Sequence, residues 1–468
     1  MYNYLSNEKF KYVSGDCGSG KTYALTQLIL RSTDKFLIAQ GTLNLTKQTA
    51  KDLGNIAKII TMDTSKNVQE DIIDFLLRPT HRVLIITDIA FLQIRDTSLL
   101  KNWHIYLDDV VSFHNFVTKN TELKEQVEKN LFHSFEAIEG KHVTAKPQTD
   151  FDDDLLSALA KEFTFVKQYD YFLMNAGFFE KVGATNTYKE KKGQLQVMSW
   201  VNLNRYGGLD VTFMANDFEK SLIYLASPNK FIKTDLQLRQ RKTPLDQRMR
   251  VHYFSDVTLT GDFQKYSPEQ FYKAVEWVNT NLNDYIFTVN GSQSTKVLNG
   301  TYVPPKSRGI NEYKDFNKAV WFVSLKPSSV EVKQCELMFD LTYEQILHAR
   351  QNEEMYQFIQ RTQLRDFDSE EVVDVYVFDK EQALYLSDDP IYIDLGIELS
   401  NSTKPVSTFV AMNLTSGENS AYGRITIERF PTQQSFDKWM NKKAQLALSS
   451  EKKEYFENKY KSLQILSK

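Results

Sequence analysis

The stretch Phe10-Lys11-Tyr12-Val13-Ser14-Gly15-Asp16-Cys17-Gly18-Ser19-Gly20-Lys21-Thr22-Tyr23-Ala24-Leu25-Thr26-Gln27-Leu28-Ile29-Leu30 decides how the chain is read. Residues 10–13 have the length and apolar character of a short strand, and residues 23–30 carry apolar side chains at helical spacing. Between them, residues 15–22 read GDCGSGKT. A strand, a glycine-rich turn and a helix are the context that a phosphate-binding loop requires. Gly15, Gly18 and Gly20, with Ser19 among them, let the backbone curl so that its N–H groups point inward. Those groups and the helix N-terminus make a nest for an anion. Lys21 is placed to reach β- and γ-phosphates, and Thr22 to hold Mg²⁺. The plain alternative is a glycine turn followed by a chance Lys-Thr pair, which leaves the flanking pattern unexplained.

Working outward, the 468 residues suggest two to four domains. A hydrophobic content of 41% and a charged content of 25% fit a globular protein able to bury a sizeable core. The formal net charge of -3 excludes a globally basic nucleic-acid coat but leaves room for a local basic channel. Two cysteines, Cys17 and Cys335, cannot build a metal cluster alone and fit a reducing compartment. Residues 1–12 lack the apolar core of a signal peptide, and no run is long enough to span a bilayer. The expectation is a cytoplasmic chain with no membrane partner. Of 31 Phe, 24 Tyr and 5 Trp, most belong to the core and some are available to stack on bases.

Beyond the loop, strands and helices alternate. Residues 35–39, 57–61, 82–87 and 103–109 read as strands, and residues 68–77 as a helix. Thr42 starts another helix, on which Leu45, Gln48 and Thr49 share spacing. This pattern argues for a mostly parallel sheet covered on both faces. Asp108 and Asp109 end an apolar strand, where paired carboxylates are costly in a core but useful beside Mg²⁺. Asp108 is assigned to the metal, through water, and Asp109 to orienting or activating an attacking water. The alternative is an ordinary acidic strand exit.

Residues 117–195 read as an inserted subdomain. Within it, 122–139 looks like a charged helix, 150–154 like a solvated acidic face, and 163–179 like an aromatic packing helix. Residues 181–192 form a basic hairpin or loop, and Lys189, Lys191 and Lys192 are hypothetical DNA contacts. Residues 209–215 are again a strand, which would bring Asn216 to the phosphate site to relay its state. The cations Lys233, Arg239, Arg241, Lys242, Arg248 and Arg250 mark either a linker touching a polyanion or a solvated connector.

A second α/β pattern begins near residue 251 and has no phosphate loop of its own. Residues 251–259, 284–289, 319–324 and 372–378 read as its strands, and 267–281 and 355–364 as helices. Gln357, Arg361 and Arg365 then share one helical face. An arginine fork reaching across a domain cleft suits a transferring phosphate. The rival is a surface helix paired with Asp366 and Glu370. Two α/β units with one loop favour the cleft. Residues 391–395 and 406–414 read as strands, and 436–460 as a helix that caps the second domain or docks a partner.

In this ordered set, over residues 8–380, the chain resembles superfamily 2 helicases and translocases. The family's motif I matches residues 15–22, and motif Ia looks like Thr42-Leu43 with Gln48. The next backbone-contacting motif is similar to Ile86-Thr87-Asp88-Ile89-Ala90-Phe91-Leu92. Motif II matches Leu107-Asp108-Asp109-Val110, with Asp-Asp where the family usually has Asp-Glu. Motif III looks like Met214-Ala215-Asn216 in place of Ser-Ala-Thr, and motif IV like residues 286–290. Motif V resembles Ser307-Arg308-Gly309-Ile310-Asn311. Motif VI looks like Gln357, Arg361 and Arg365, its second arginine one place later than usual.

The resemblance implies an α/β fold of tandem RecA-like P-loop NTPase domains, with the insertion and a C-terminal extension. The first domain, 1–240, would carry Walker A and B, the second, 251–380, the arginine finger, and 381–468 the extension. ATP and Mg²⁺ would be the cofactors. Gly15, Gly18, Ser19, Gly20, Lys21 and Thr22 would bind the nucleotide with Gly309 and Asn311. Thr22 and Asp108 would hold the metal. Catalysis would fall to Lys21, Asp108, Asp109, Gln357, Arg361 and Arg365, with Arg361 the first choice as finger. Thr42, Gln48, Thr87 and Arg308 would touch nucleic acid, DNA in preference to RNA.

The small size and the long spacer between motifs II and III resemble helicases of phages or other mobile elements. Viral replication or recombination proteins would then be partners, in the host cytoplasm. One rival is a large-terminase packaging motor, whose nuclease domain would use acids such as Asp374, Asp379 and Asp389. Another is a nucleotide-dependent nucleic-acid-binding scaffold or anti-defence protein that does not translocate.

Overall fold

Short runs rich in Val, Ile, Leu and Phe become strands. In the computed structural model these are β1 (Phe10–Ser14), β2 (Phe36–Gln40), β3 (Ala57–Ile59), β4 (Val83–Thr87) and β5 (His104–Asp108). Of these, β2 and β4 are buried on both faces. The model describes residues 9–109, 113–119, 135–138, 142–145, 168–175, 195–305 apart from 292 and 294, and 312–398. Near the C-terminus it describes 421, 425, 429–441, 448, 449, 452, 453, 456, 457 and 460.

After β5 the chain leaves the sheet to form β6 (His114–Lys119), β7 (Phe135–Ile138), β8 (His142–Ala145), β9 (Tyr171–Asn175) and β10 (Leu195–Trp200). It returns as β11 (Asp210–Ala215) and β12 (Phe231–Lys233). The first sheet has the order β12-β1-β11-β5-β2-β4-β3, every pair parallel. Alternate side chains feed two cores. Leu37, Ala39, Leu84 and Ile86 meet Ile72 and Phe75 of the helix Val68–Leu77. Phe36, Ile38, Val83 and Ile85 meet Leu25 and Ile29 of the helix Lys21–Arg31 and Leu53 of the helix Leu43–Leu53.

The inserted strands make an antiparallel sheet ordered β6-β10-β9-β8-β7. Two helix expectations are overturned here. Residues 135–138, read as part of a charged helix, are β7, and residues 171–175, read as part of an aromatic helix, are β9. In β9, Phe172, Leu173 and Met174 are all buried, so helical spacing does not govern the segment. The rest of both spans, the acidic run 150–154 and Lys189, Lys191 and Lys192 lie outside the described residues.

The second sheet contains β13 (Met249–Ser255), β14 (Ile286–Val289), β15 (Thr301–Tyr302), β16 (Lys318–Phe322), β17 (Val373–Asp379) and β18 (Ile391–Tyr392). Its order is β15-β14-β16-β17-β13-β18, again all parallel. Trp321, Val375 and Val377 pack on Met355, Phe358 and Ile359. The architecture is thus tandem RecA-like α/β domains with an insertion between two strands of the first. The chain divides into two compact units, residues 1–261 with 272–397, which hold all three sheets, and residues 262–271 with 398–468. The second unit has a core of its own, in which Phe436 and Tyr460 stack at 4.2 Å. Among the described residues, no helix is long and apolar enough to cross a membrane.

Asp170 fastens the antiparallel sheet to the first domain. It accepts from Arg95 at 2.6 Å, from Arg205 at 3.1 Å and from the Asn202 N–H at 2.7 Å. Asp170→Ala leaves both guanidinium groups and that N–H short of an acceptor, at a cost of about 1–3 kcal/mol. Thermal denaturation is expected to show the lowered stability, and limited proteolysis faster cleavage between residues 113 and 201.

Candidate nucleotide site

The loop between β1 and the helix Lys21–Arg31 has the backbone that its glycines permit. Gly18 and Gly20 have φ of 83° and 86°, left-handed values that cost other residues strain. The Lys21 Nζ lies across the loop and donates to the carbonyls of Gly15 at 2.5 Å and Asp16 at 3.0 Å. The Ser19 hydroxyl is buried, its residue 3% exposed, with no hydrogen-bond partner among the described residues. A curled backbone, an ammonium and a buried unpartnered hydroxyl fit a bound phosphate chain.

Thr22 Oγ1 donates to Asp108 Oδ2 at 2.7 Å. Gln40 Nε2 donates to the same oxygen at 2.8 Å and to Thr49 Oγ1 at 2.9 Å. The register puts Gln40 opposite Asp108. Burial raises the Asp108 pKa, and the hydrogen bonds from Gln40 and Thr22 oppose that rise. A hydroxyl beside a carboxylate, next to a phosphate nest, is a donor set that suits Mg²⁺. The strand ends at Asp108. Asp109 turns off it with a left-handed φ of 59°, its N–H bonded to the Met214 carbonyl at 2.8 Å. The adjacent acids therefore separate: Asp108 is buried, and Asp109 lines a cavity of about 190 Å³ with Asn216, His348 and Glu353.

The shared helical face of Gln357, Arg361 and Arg365 does not form. The helix is Glu353–Ile359, and Gln360 leaves helical geometry with ψ of 1°. Arg361 and Thr362 close tight turns onto the carbonyls of Phe358 and Ile359, and the Thr362 hydroxyl accepts from the Leu364 N–H. Arg365 falls in the 3₁₀ turn Gln363–Arg365. Arg361 is buried, 3% exposed. Arg365 packs on the phosphate loop: a Cβ added to Gly18 would lie 3.2 Å from Arg365 Cγ and 3.1 Å from the Phe367 ring. Burial lowers the Arg365 pKa, while the nearby Cys17 and Asp109 act the other way. The Cys17 thiol is itself pushed up by burial.

Gln357 Nε2 donates to Glu353 Oε1 at 2.9 Å, and Asn216 Nδ2 donates to Glu353 Oε2 at 2.9 Å. Asn216, at the end of β11, is thus wired to the second domain through Glu353. Glu353 follows a widened π turn, His348–Asn352, which sequence periodicity does not signal.

Of the cations of residues 231–250, Lys233, Arg239, Lys242 and Arg250 are exposed in surface ion pairs, as in a solvated connector, whereas Arg241 and Arg248 turn inward. Arg241 Nε pairs with Asp16 Oδ2 at 2.6 Å, and its other nitrogens donate to Gln360 Oε1 at 2.7 Å, the Cys17 carbonyl at 3.4 Å and the Leu364 carbonyl. Its guanidinium lies 4.0 Å from the centre of the Phe367 ring. Tyr356 donates to Asp16 Oδ1 at 2.6 Å. Arg239 pairs with Asp368, Lys242 with Glu370, and Arg250 with Asp374. Arg248 is buried and donates to the carbonyls of Asp366, Gln363 and Glu371. The surface pairing of Arg361 or Arg365 with Asp366 and Glu370 is also replaced: the Asp366 carboxylate accepts from the Asp368 N–H, and Lys242 holds the Glu370 carboxylate.

Thr42 and Thr87 accept from the N–H groups of Leu45 and Ala90, capping helices after the neighbouring strands β2 and β4. Gln48 donates to Asp52 at 2.9 Å on the surface. Arg308, Gly309 and Asn311 lie outside the described residues. Asp374 and Asp379 share one strand; Asp374 binds Arg250 and His252, and Asp379 accepts from the N–H groups of Leu259 and Gln382. Among the described residues no three metal-ligating side chains converge. The sequence gives no sign of the roles of Asp16, Glu353 and Tyr356, shows Arg241 only as one cation of the linker, and marks Gln40 only by its position at the end of an apolar strand.

The geometry defines a P-loop fold with two parallel α/β domains meeting at one phosphate loop. No protein-family model and no curated protein matches the chain. Among solved structures the chain is similar to XPD in an apo form, with TM-score 0.49 and 13% identity over 83% of this chain and 97% of that one. It is similar to Xpd4 of S. tokodaii, with TM-score 0.45 and 12% identity over 84% and 95%. It is also similar to S. cerevisiae Dbp5 bound to RNA and ADP BeF3, with TM-score 0.41 and 11% identity over 83% and 86%.

Arg241 holds four acceptors from a side chain only 9% exposed. Arg241→Ala is expected to destabilise the chain by about 2–4 kcal/mol, read as a shift in the denaturation midpoint. Arg241→Lys is expected to recover less than half of that, because an ammonium cannot reproduce the planar fork.

Proposed function

We propose that this chain is a nucleic-acid-dependent ATPase of the helicase or translocase kind, acting on DNA, with RNA as the second candidate track. The carrying observation is the hydrogen bond from Thr22 in the phosphate loop to Asp108 at the end of β5, beside a loop that Arg365 of the second domain touches. In this reading ATP binds in the loop and Lys21 exchanges the carbonyls of Gly15 and Asp16 for phosphate oxygens. Thr22 and Asp108 hold Mg²⁺, which when bound neutralises phosphate charge and orients the nucleotide. Asp109 orients the attacking water and receives its proton. Arg365 stabilises charge that develops on the transferring phosphate.

Asn216, Glu353 and Gln357 carry the state of the site between the domains. Thr42, Gln48, Thr87 and Arg308 are the proposed contacts to the nucleic-acid backbone, an arrangement that predicts little sequence preference and strong salt dependence. The long insertion between β5 and β11 is the feature that motivates a proposed place in phage replication, recombination or repair.

Steady-state ATP hydrolysis, measured with single-stranded DNA, double-stranded DNA and RNA, tests the reading. Stimulation by one polymer that Lys21→Ala abolishes is the expected result. Tight nucleic-acid binding with no turnover would replace the motor by a scaffold. Asp109→Asn is expected to lower kcat by about 10²–10⁴ with nucleotide binding retained. Arg365→Ala is expected to lower it by about 10³ or more. If Arg361→Ala alone produced that loss in a folded protein, the finger role would return to Arg361.

A further inference from the structure

The phosphate loop accounts for the phosphates of a nucleotide and leaves its base unheld. We infer that Tyr23 is the stacking platform for the base, and that the site takes purine nucleoside triphosphates through that stack. This rests on the reading of residues 15–22 as a nucleotide site.

Lys21, Thr22 and Tyr23 open the helix Lys21–Arg31, and successive helical residues turn by about 100°. Thr22 is fixed inward by its hydrogen bond to Asp108. Asp108, Asp109 and Arg365 therefore mark the end of the site where the terminal phosphate lies. In the inferred pose the nucleoside end lies away from them, past the outer side of the helix's first turn. Tyr23 lies one step further round the helix from Thr22, on the side where the inferred pose puts the base.

Tyr23 is 69% exposed, whereas Phe10, Tyr12 and Phe367 are buried and Tyr356 is half-buried with its hydroxyl held by Asp16. An aromatic face left in water beside a phosphate nest has the shape and the apolar area that a base covers. A Cβ added to Gly20 would find Tyr23 Cβ, at 4.0 Å, as its nearest atom beyond the adjoining residues, so the loop is not crowded beside Tyr23. Stacking reads the face of a base and not its edge. The larger purine face is favoured over a pyrimidine, and adenine and guanine are held alike.

Equilibrium binding of ATP, GTP, CTP and inorganic tripolyphosphate to the full chain, with Mg²⁺, tests this in the wild type, Tyr23→Ala and Tyr23→Phe. Tyr23→Ala is expected to weaken ATP and GTP by about tenfold, and by no less than about fivefold. Tyr23→Phe is expected to bind as the wild type does. Tripolyphosphate, which has no base, is expected to bind all three proteins equally. The proposal is overturned if Tyr23→Ala leaves ATP affinity unchanged, or if tripolyphosphate weakens in step with ATP. Wild-type protein that binds neither ATP nor tripolyphosphate would overturn the nucleotide-site reading itself. Wild-type binding that ignores Tyr23 would overturn only the stack.

Discussion

The hydrogen bond between Thr22 and the Asp108 carboxylate is the joint on which the first domain depends. A carboxylate that is 2% exposed is tolerated only when donors meet it. Thr22 arrives from the loop after β1, and Gln40 from the end of β2. Both reach one oxygen at the end of β5, which lies between β11 and β2 in the sheet. A one-residue slip of β2 against β5 would turn Gln40 to the other face and strip Asp108 of a donor. The sheet order and the site chemistry are one constraint seen twice.

A second polar node ties the domains to that joint. Asp16 occupies a place in the glycine loop that the motif leaves open, yet it binds Arg241 of the linker and Tyr356 of the second domain. Arg241 in turn reaches Gln360 and covers Phe367, which lies against Gly18. The residues that shape the phosphate nest are therefore those that hold the second domain in place. Movement of one domain disturbs the other through named hydrogen bonds, and Glu353 adds a further link from Asn216 to Gln357.

Much of this was legible in the residues. The glycine loop, the apolar strands on either side of it and the acids after β5 are local patterns with a local physical cause. The insertion was legible as an interruption and not as a sheet, because β9 pairs with β8 and β10, and β10 with β6, across long stretches of chain, while β7 pairs only with the neighbouring β8. The helix carrying Gln357 was legible, but its end was not. Gln360, Arg361 and Thr362 have no strong helix-stop signature, and tight turns closed by neighbouring carbonyls end it. Periodicity alone therefore put Arg361 and Arg365 on one face when the turn separates them.

By itself the sequence determined the phosphate loop, the alternation that builds two parallel sheets, and the carboxylate pair at the end of β5. These depend on contacts within a few residues or on the period of apolar side chains. Only the tertiary structure decided which arginine meets the loop, why Asp108 and Asp109 diverge, and what the cations of the linker hold. Those outcomes depend on partners more than a hundred residues apart, as in Asp16 with Arg241 and Asn216 with Glu353. Charge and burial select such partners, and no local pattern in the chain records the choice.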